Sequence, residues 1–166
     1  MAYRNKTYIC FDGDTDMHYY RLMTAWAAND RFEFSFHNAH DLNTARDTSQ
    51  EESIKRKLRE RFANSKLMIV LIGEKTRYLT KFVRWEMEVA LRLNLPIIGV
   101  NLNGARDRDN LSPPAIREEL VLYVPFGPKA VHHAMEIWPG EFGQLQRQGK
   151  SGPYALSSST YKSLGM

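Results

Sequence analysis

A glutamate lies within the apolar stripe of a predicted helix, and it is the residue of this chain whose position most suggests chemistry. The segment 79–94 has helical spacing, and at about 100° per residue Glu86 falls on the apolar arc, whereas Glu88 points away. The apolar members of that arc are Leu79, Phe82, Val89, Ala90 and Leu93. An ionised carboxylate on a core-facing stripe is costly unless it is paired or faces a cleft. Glu86 is therefore a candidate site residue.

An acidic segment, Asp12-Gly13-Asp14-Thr15-Asp16, follows the first apolar run of the chain. It begins like a calcium loop, but Met17 and Met23 stand where that loop needs Gly and Glu. Its charge would also repel phosphate. The segment 143–151 is not a phosphate loop either, because its two glycines are separated by five residues instead of four. The first segment is therefore not predicted to bind calcium, and the second is not predicted to bind phosphate.

The composition is that of one ordinary globular domain. The chain has 166 residues, of which 43% are hydrophobic and 25% charged, with a net charge of +4. The basic run 55–61 lies on a predicted helix without interleaved aromatic residues, so we interpret it as a solvated face and expect no nucleic-acid partner. The single cysteine, Cys10, is interpreted as a core residue. No signal peptide or membrane span is predicted, so we expect a cytoplasmic protein without a membrane partner.

Predicted strands and helices alternate along the chain, which indicates a parallel sheet covered on both faces. The strands are predicted at residues 7–11, 32–36, 66–73, 95–104 and 121–127, and the helices at 16–29, 49–63, 79–94, a short segment from Pro114, and 129–137. This order predicts a doubly wound, five-stranded, flavodoxin-like α/β fold. Ligands of such sheets bind at the carboxyl ends of the strands.

The chain is divided by composition into two parts. Residues 1–138 are predicted to form the α/β domain. Residues 139–166 are rich in Gly, Ser and Gln, so we expect a loosely packed C-terminal extension.

Residues 67–104 carry a resemblance to a known family. A strand ending in VLIG is followed by KTRYLTKFVRWEMEVAL and then by PIIGVNLNG. This arrangement resembles the TIR-like proteins of the Thoeris antiphage defence system. Many catalytic TIR domains have Trp at the position of Phe82 and the catalytic Glu at the position of Glu86. This chain has Phe there and places Trp85 next to the glutamate. It also has Phe11 and Asp12 where the family has a serine after the first strand.

The resemblance implies an enzyme that cleaves the bond between nicotinamide and ribose of NAD⁺. Its product would be a cyclic or conjugated ADP-ribose signal that activates a separate effector, with NAD⁺ as substrate and no cofactor. Glu86 would stabilise the positive charge that develops on the ribose. The substrate pocket would be lined by Phe11, Asp12, His40, Asp41, Thr76, Tyr78, Phe82 and Trp85, although each of these also has an interpretation as a turn or packing residue.

Two other functions stay open from the sequence. One is a non-catalytic TIR-like module that acts through self-association or a protein partner. The other is a flavin or nucleotide binder. The sequence disfavours this function, because the segment after the first strand is not a recognisable phosphate loop and its acidic side chains would repel phosphate.

Overall fold

The sheet has the predicted parallel, doubly wound order. The computed structural model describes residues 6–28, 35–37 and 51–166. The strands among them are β1 (Lys6–Cys10), β2 (Ser35–His37), β3 (Leu67–Ile72), β4 (Ile97–Asn101), β5 (Val121–Pro125) and β6 (Pro153–Ala155). They lie in the order β2-β1-β3-β4-β5-β6, and every adjacent pair is parallel. The five predicted strands form the flavodoxin-like order, and β6 adds a short edge strand that the sequence did not predict.

The helices cover both faces of this sheet. They are α1 (Met17–Ala27), α2 (Glu51–Ala63), α3 (Phe82–Arg92), α4 (Pro128–Arg147) and α5 (Ser158–Ser163), with a 3₁₀ turn at Thr76–Tyr78. Side chains of α1, α4 and α5 share one apolar core, and side chains of α2 and α3 share the other. The predicted cap of α2 at Ser49 lies outside the described residues.

Strand alternation assigns each residue of β1 to one of the two cores. Ile9 belongs to the core beneath α1 and α4, whereas Tyr8 and Cys10 belong to the core beneath α2 and α3. All residues of β3, β4 and β5 are buried, which fits their continuous apolar runs. The face of the sheet to which a β1 side chain points therefore determines which helices that side chain can contact.

The helix predicted from Pro114 is not formed. Residues 102–120 connect β4 to β5 as a series of turns. The Ser112 and Tyr123 hydroxyls hydrogen-bond each other at 2.7 Å and fix the loop to β5. Ile116, fully buried, packs into the core of α2 and α3. The prediction was wrong because the apolar residues of this segment are buried by a compact loop instead of a helical face.

The expectation of a loosely packed extension after residue 138 is also wrong. Helix α4 continues through Pro139 to Arg147, and Trp138 and Phe142 on it are buried. Strand β6 pairs with β5, and Tyr161 of α5 is only 1% exposed. The Gly- and Ser-rich composition indicated a loop, but the buried aromatic side chains anchor the segment to the core beneath α1 and α4.

Candidate functional site

Helix α3 buries Glu86 as its spacing predicts. The side chain is 1% exposed and lies on the same face as Val83, Met87 and Ala90. Glu88 is half exposed and pairs with Arg84, its Oε1 lying 3.0 Å from the guanidinium Nε. The prediction that these two glutamates face opposite environments is therefore confirmed. Leu93, which the predicted arc included, is exposed because the helix ends at Arg92.

Glu86 lies against the face of β1 that carries Tyr8 and Cys10. Burial first, and then the negative charge of Glu86, raises the pKa of Tyr8 well above its ordinary value. The same two causes raise the pKa of the Cys10 thiol, whose Sγ lies 3.7 Å from the Val83 carbonyl oxygen. Both groups are therefore neutral at physiological pH. Cys10 is a packed thiol and not a nucleophile, as its sequence context predicted.

Tyr8 and Cys10 are neighbours of Glu86 that sequence reasoning missed. Tyr8 is completely buried and stacks on Phe62 of α2, with ring centroids 4.1 Å apart. Its hydroxyl makes no hydrogen bond of ordinary geometry within the described part of the chain. The available signal was the period of two along β1, which places Tyr8 and Cys10 on one face. That signal could not tell which helix covers the face.

The two aromatic candidates on α3 are half buried near Glu86. Trp85 meets Phe62 edge to face at 6.2 Å, and Lys55 and Arg59 of α2 lie within 6 Å of its ring. Phe82 packs at the edge of the same core, with the Lys81 ammonium 5.4 Å from its ring centroid. The structure thus places Phe82, Trp85 and Glu86 on one helix, with cations around the aromatic rings.

Phe11 and Asp12 do not join this group. Phe11 packs on the opposite face of the sheet, stacked on Tyr20 of α1 at 4.8 Å. Asp12 is buried, and its Oδ1 accepts a hydrogen bond from the backbone N–H of Asp14 at 3.0 Å. Alternation along β1 directs Phe11 away from Glu86, and Asp12 shapes the turn that follows the strand.

The candidates after β3 also have local structural roles. The buried Thr76 hydroxyl accepts a hydrogen bond from the Gly73 N–H at 2.9 Å and donates to the Leu71 carbonyl at 3.3 Å. Tyr78 is 63% exposed, and the Arg77 guanidinium lies 4.7 Å from its ring centroid. The two remaining candidates, His40 and Asp41, lie outside the described residues.

Glu86 lines none of four cavities that the described residues form. One of about 270 Å³ lies at the carboxyl ends of β1, β3 and β4, where the fold predicts ligands. The site therefore consists of a buried carboxylate under α3 and a separate cavity at the strand ends.

Sheet order, helix distribution and the carboxylate on α3 together define a TIR-type α/β domain. The family described as Thoeris protein ThsB, TIR-like domain, matches residues 8–107. The chain belongs to this family, and the membership indicates a role in antiphage defence. No curated protein matches the chain. None of the described helices is both long and apolar enough to cross a lipid bilayer.

Proposed function

We propose that the protein is an NAD⁺-consuming enzyme that cleaves the bond between nicotinamide and ribose in the cytoplasm. Its product would be an ADP-ribose-derived signal, cyclic or conjugated, that activates a separate effector in antiphage defence. Membership in the ThsB family supports the defence role. The observation that carries the enzymatic proposal is the Glu86 carboxylate, which α3 holds in the apolar core beside β1.

The chemistry of the bond suits a single carboxylate. When the C–N bond breaks, its electron pair moves to the pyridinium nitrogen, so nicotinamide leaves as a neutral molecule. Positive charge then develops on the ribose, and a fixed carboxylate in a low-dielectric site stabilises it. Addition of water, or of another nucleophile that loses a proton, completes the reaction. The leaving group needs no general acid, so no second carboxylate is required.

The surroundings of Glu86 support this role electrostatically. Because their pKa values are raised, Tyr8 and Cys10 stay protonated and add no negative charge of their own. The cationic side chains of Lys55 and Arg59 on α2 lie over the ring of Trp85, the residue directly before Glu86 on α3. The phosphates of NAD⁺ are anionic, so this charge distribution favours the substrate near α3.

One observation favours a second candidate function, a non-catalytic interaction module. Glu86 is only 1% exposed, and catalysis requires that its carboxylate reach the ribose. A module that acts through self-association or a protein partner has no such requirement. The two candidates therefore differ in whether Glu86 becomes accessible to NAD⁺.

Nicotinamide release from NAD⁺ separates these functions. The purified protein and extracts of phage-infected cells that express it are incubated with NAD⁺, so that an enzyme needing an infection trigger is also detected. Glu86→Gln is the test variant because it removes the charge at constant size. Glu88→Gln is the matched control, since it makes the same change two residues away on the exposed side of the helix.

The enzyme proposal predicts release by the wild type and by Glu88→Gln, and loss in Glu86→Gln. Release that persists in Glu86→Gln would remove Glu86 from the mechanism. No release under either condition, while the protein still supports defence against phage, would favour the interaction module.

A further inference from the structure

The cavity at the strand ends contains a carboxylate whose environment is unusual. Asp16, Gly73 and Asn103 line it from the segments that follow β1, β3 and β4. Its volume of about 270 Å³ is slightly below that of pockets for drug-sized ligands, about 300–1,000 Å³, so it suits a smaller molecule. It lies at the strand ends beside the start of α1, and Glu86, which lies beneath α3, is not among its lining residues. The two sites are therefore distinct.

Asp16 does not perform the role that its position in the chain suggests. It immediately precedes α1, where an Asp side chain ordinarily accepts a hydrogen bond from the first helical turn. Here the carboxylate makes no such bond. The residue is 5% exposed, and its Oδ2 has no hydrogen-bond partner among the described residues. An unpartnered buried carboxylate oxygen is costly, and a ligand that supplies a donor would remove that cost.

Gly73 permits this arrangement of Asp16. A Cβ atom on Gly73 would lie 2.3 Å from Asp16 Oδ2, a distance that no side chain tolerates. The carboxylate therefore lies directly against the backbone at the end of β3, beside the cavity that both residues line. Only glycine at this position allows Asp16 to adopt this orientation.

The charges around the cavity select a cation. Burial first, and then the charges of Asp12 and Glu74, raise the pKa of Asp16, while His18 acts in the opposite direction. Asp12 is itself buried, and Glu74 lies at the exposed rim. An anion would be repelled by this group, and a cation would be attracted to it.

The walls of the cavity indicate an organic cation instead of a metal ion. No cluster of three or more His, Cys, Asp or Glu side chains suitable for a metal is found within residues 6–28, 35–37 and 51–166. Tyr19, Leu102 and Leu111 supply aromatic and apolar surface instead. Such surface packs against the carbon skeleton of a ligand, and a tyrosine ring attracts its charge.

We propose that this cavity binds a small organic cation, an ammonium or guanidinium compound, with Asp16 as its ion-pair partner. Glu74, which is exposed at the rim, adds to the attraction of the cation. The proposal is independent of NAD⁺ cleavage, because its site, its ligand and its test do not involve Glu86.

Isothermal titration calorimetry of the whole chain with agmatine tests the proposal. Agmatine carries a guanidinium and an ammonium group on a short aliphatic chain. The titration is made at pH 8 and constant ionic strength, so that Asp16 is ionised and non-specific screening is equal in all samples. Asp16→Asn is the main variant, and Asp14→Asn is the matched control because it lies on the same loop, is exposed and does not line the cavity.

We expect saturable binding to the wild type and to Asp14→Asn with equal Kd. Asp16→Asn should weaken binding by about tenfold or more, the lower end of what a charge-assisted hydrogen bond contributes. Glu74→Gln, an exposed change that leaves the core intact, should weaken it about two- to fivefold.

Equal binding by Asp16→Asn and the wild type would overturn the proposal, as would the absence of saturable agmatine binding to the wild type. A parallel titration with MgCl₂ tests whether the cavity binds a metal ion instead. Magnesium binding that depends on Asp16 without agmatine binding would show a metal site instead of an organic-cation site.

Discussion

Replacement of Tyr161 by alanine tests whether the C-terminal segment is part of the core. Tyr161 is 1% exposed and packs in the cluster that also contains Trp138 and Ile9. Truncation of a buried aromatic residue to alanine costs about 3–5 kcal/mol. The guanidinium of Arg106, 4.1 Å from the ring centroid, adds about 0.5 kcal/mol because it is exposed. We therefore expect Tyr161→Ala to lower the free energy of unfolding by about 3.5–5.5 kcal/mol.

Urea unfolding followed by circular dichroism measures this change. With an m-value of about 2 kcal/mol/M, the midpoint should fall by roughly 1.8–2.8 M. Tyr161→Phe should change the free energy of unfolding by less than about 1 kcal/mol, because the hydroxyl has no hydrogen-bond partner among the described residues. Lys162→Ala, on the exposed side of the same helix, is the control and should stay within about 0.5 kcal/mol. A loss below about 1 kcal/mol in Tyr161→Ala would refute the packed arrangement.

Two further changes test the sheet and the strand-end cavity. Gly99→Ala should lower the free energy of unfolding by about 1–3 kcal/mol, because the added Cβ would lie 2.8 Å from the Tyr123 ring. Thermal unfolding measures this change. An unchanged midpoint temperature would contradict the close approach of Gly99 to Tyr123. Asp16→Asn should raise the free energy of unfolding by about 1 kcal/mol at pH 8, because it removes a carboxylate whose buried, ionised form is unfavourable. The pKa of Asp16 is raised by folding, so the wild type takes up a proton as the pH falls through that value, and the advantage of the variant should disappear by about pH 4. Urea titrations from pH 8 to pH 4 measure the difference in the free energy of unfolding between Asp16→Asn and the wild type. A stability advantage of the variant that grows as the pH falls would contradict a raised pKa of Asp16.

The sequence predicted the central part of the fold because its signals there are local. The unbroken apolar runs at β3 and β4 and the helical spacing around Glu86 each determine one element, and their alternation determines the parallel order. The burial of Glu86 and the exposure of Glu88 followed from spacing alone. These features depend on residues close together in the chain.

The C-terminal segment could not be predicted because long-range packing determines it. Pro139 and Gly140 ordinarily end a helix, yet α4 continues because Trp138 and Phe142 are buried on the same side. The burial of Tyr161 depends on contacts with elements far away in the chain. Composition alone favoured a loop for this segment.

Parts of the candidate site were unpredictable for the same reason. The alternation of β1 was visible, but the helix that covers each face was not, so Phe11 was placed beside Glu86 and Tyr8 was overlooked. Asp16 was interpreted only as part of an acidic turn before a helix. Its position against Gly73 results from two loops that meet at the strand ends.

The most direct test of the central proposal is the rate of nicotinamide release by Glu86→Gln relative to the wild type, under the condition that activates the wild type. We predict a loss of at least about 100-fold, the scale of removing one fixed group that stabilises transition-state charge. A variant that is folded and retains a third or more of the wild-type rate would contradict the proposal that Glu86 stabilises the ribose cation.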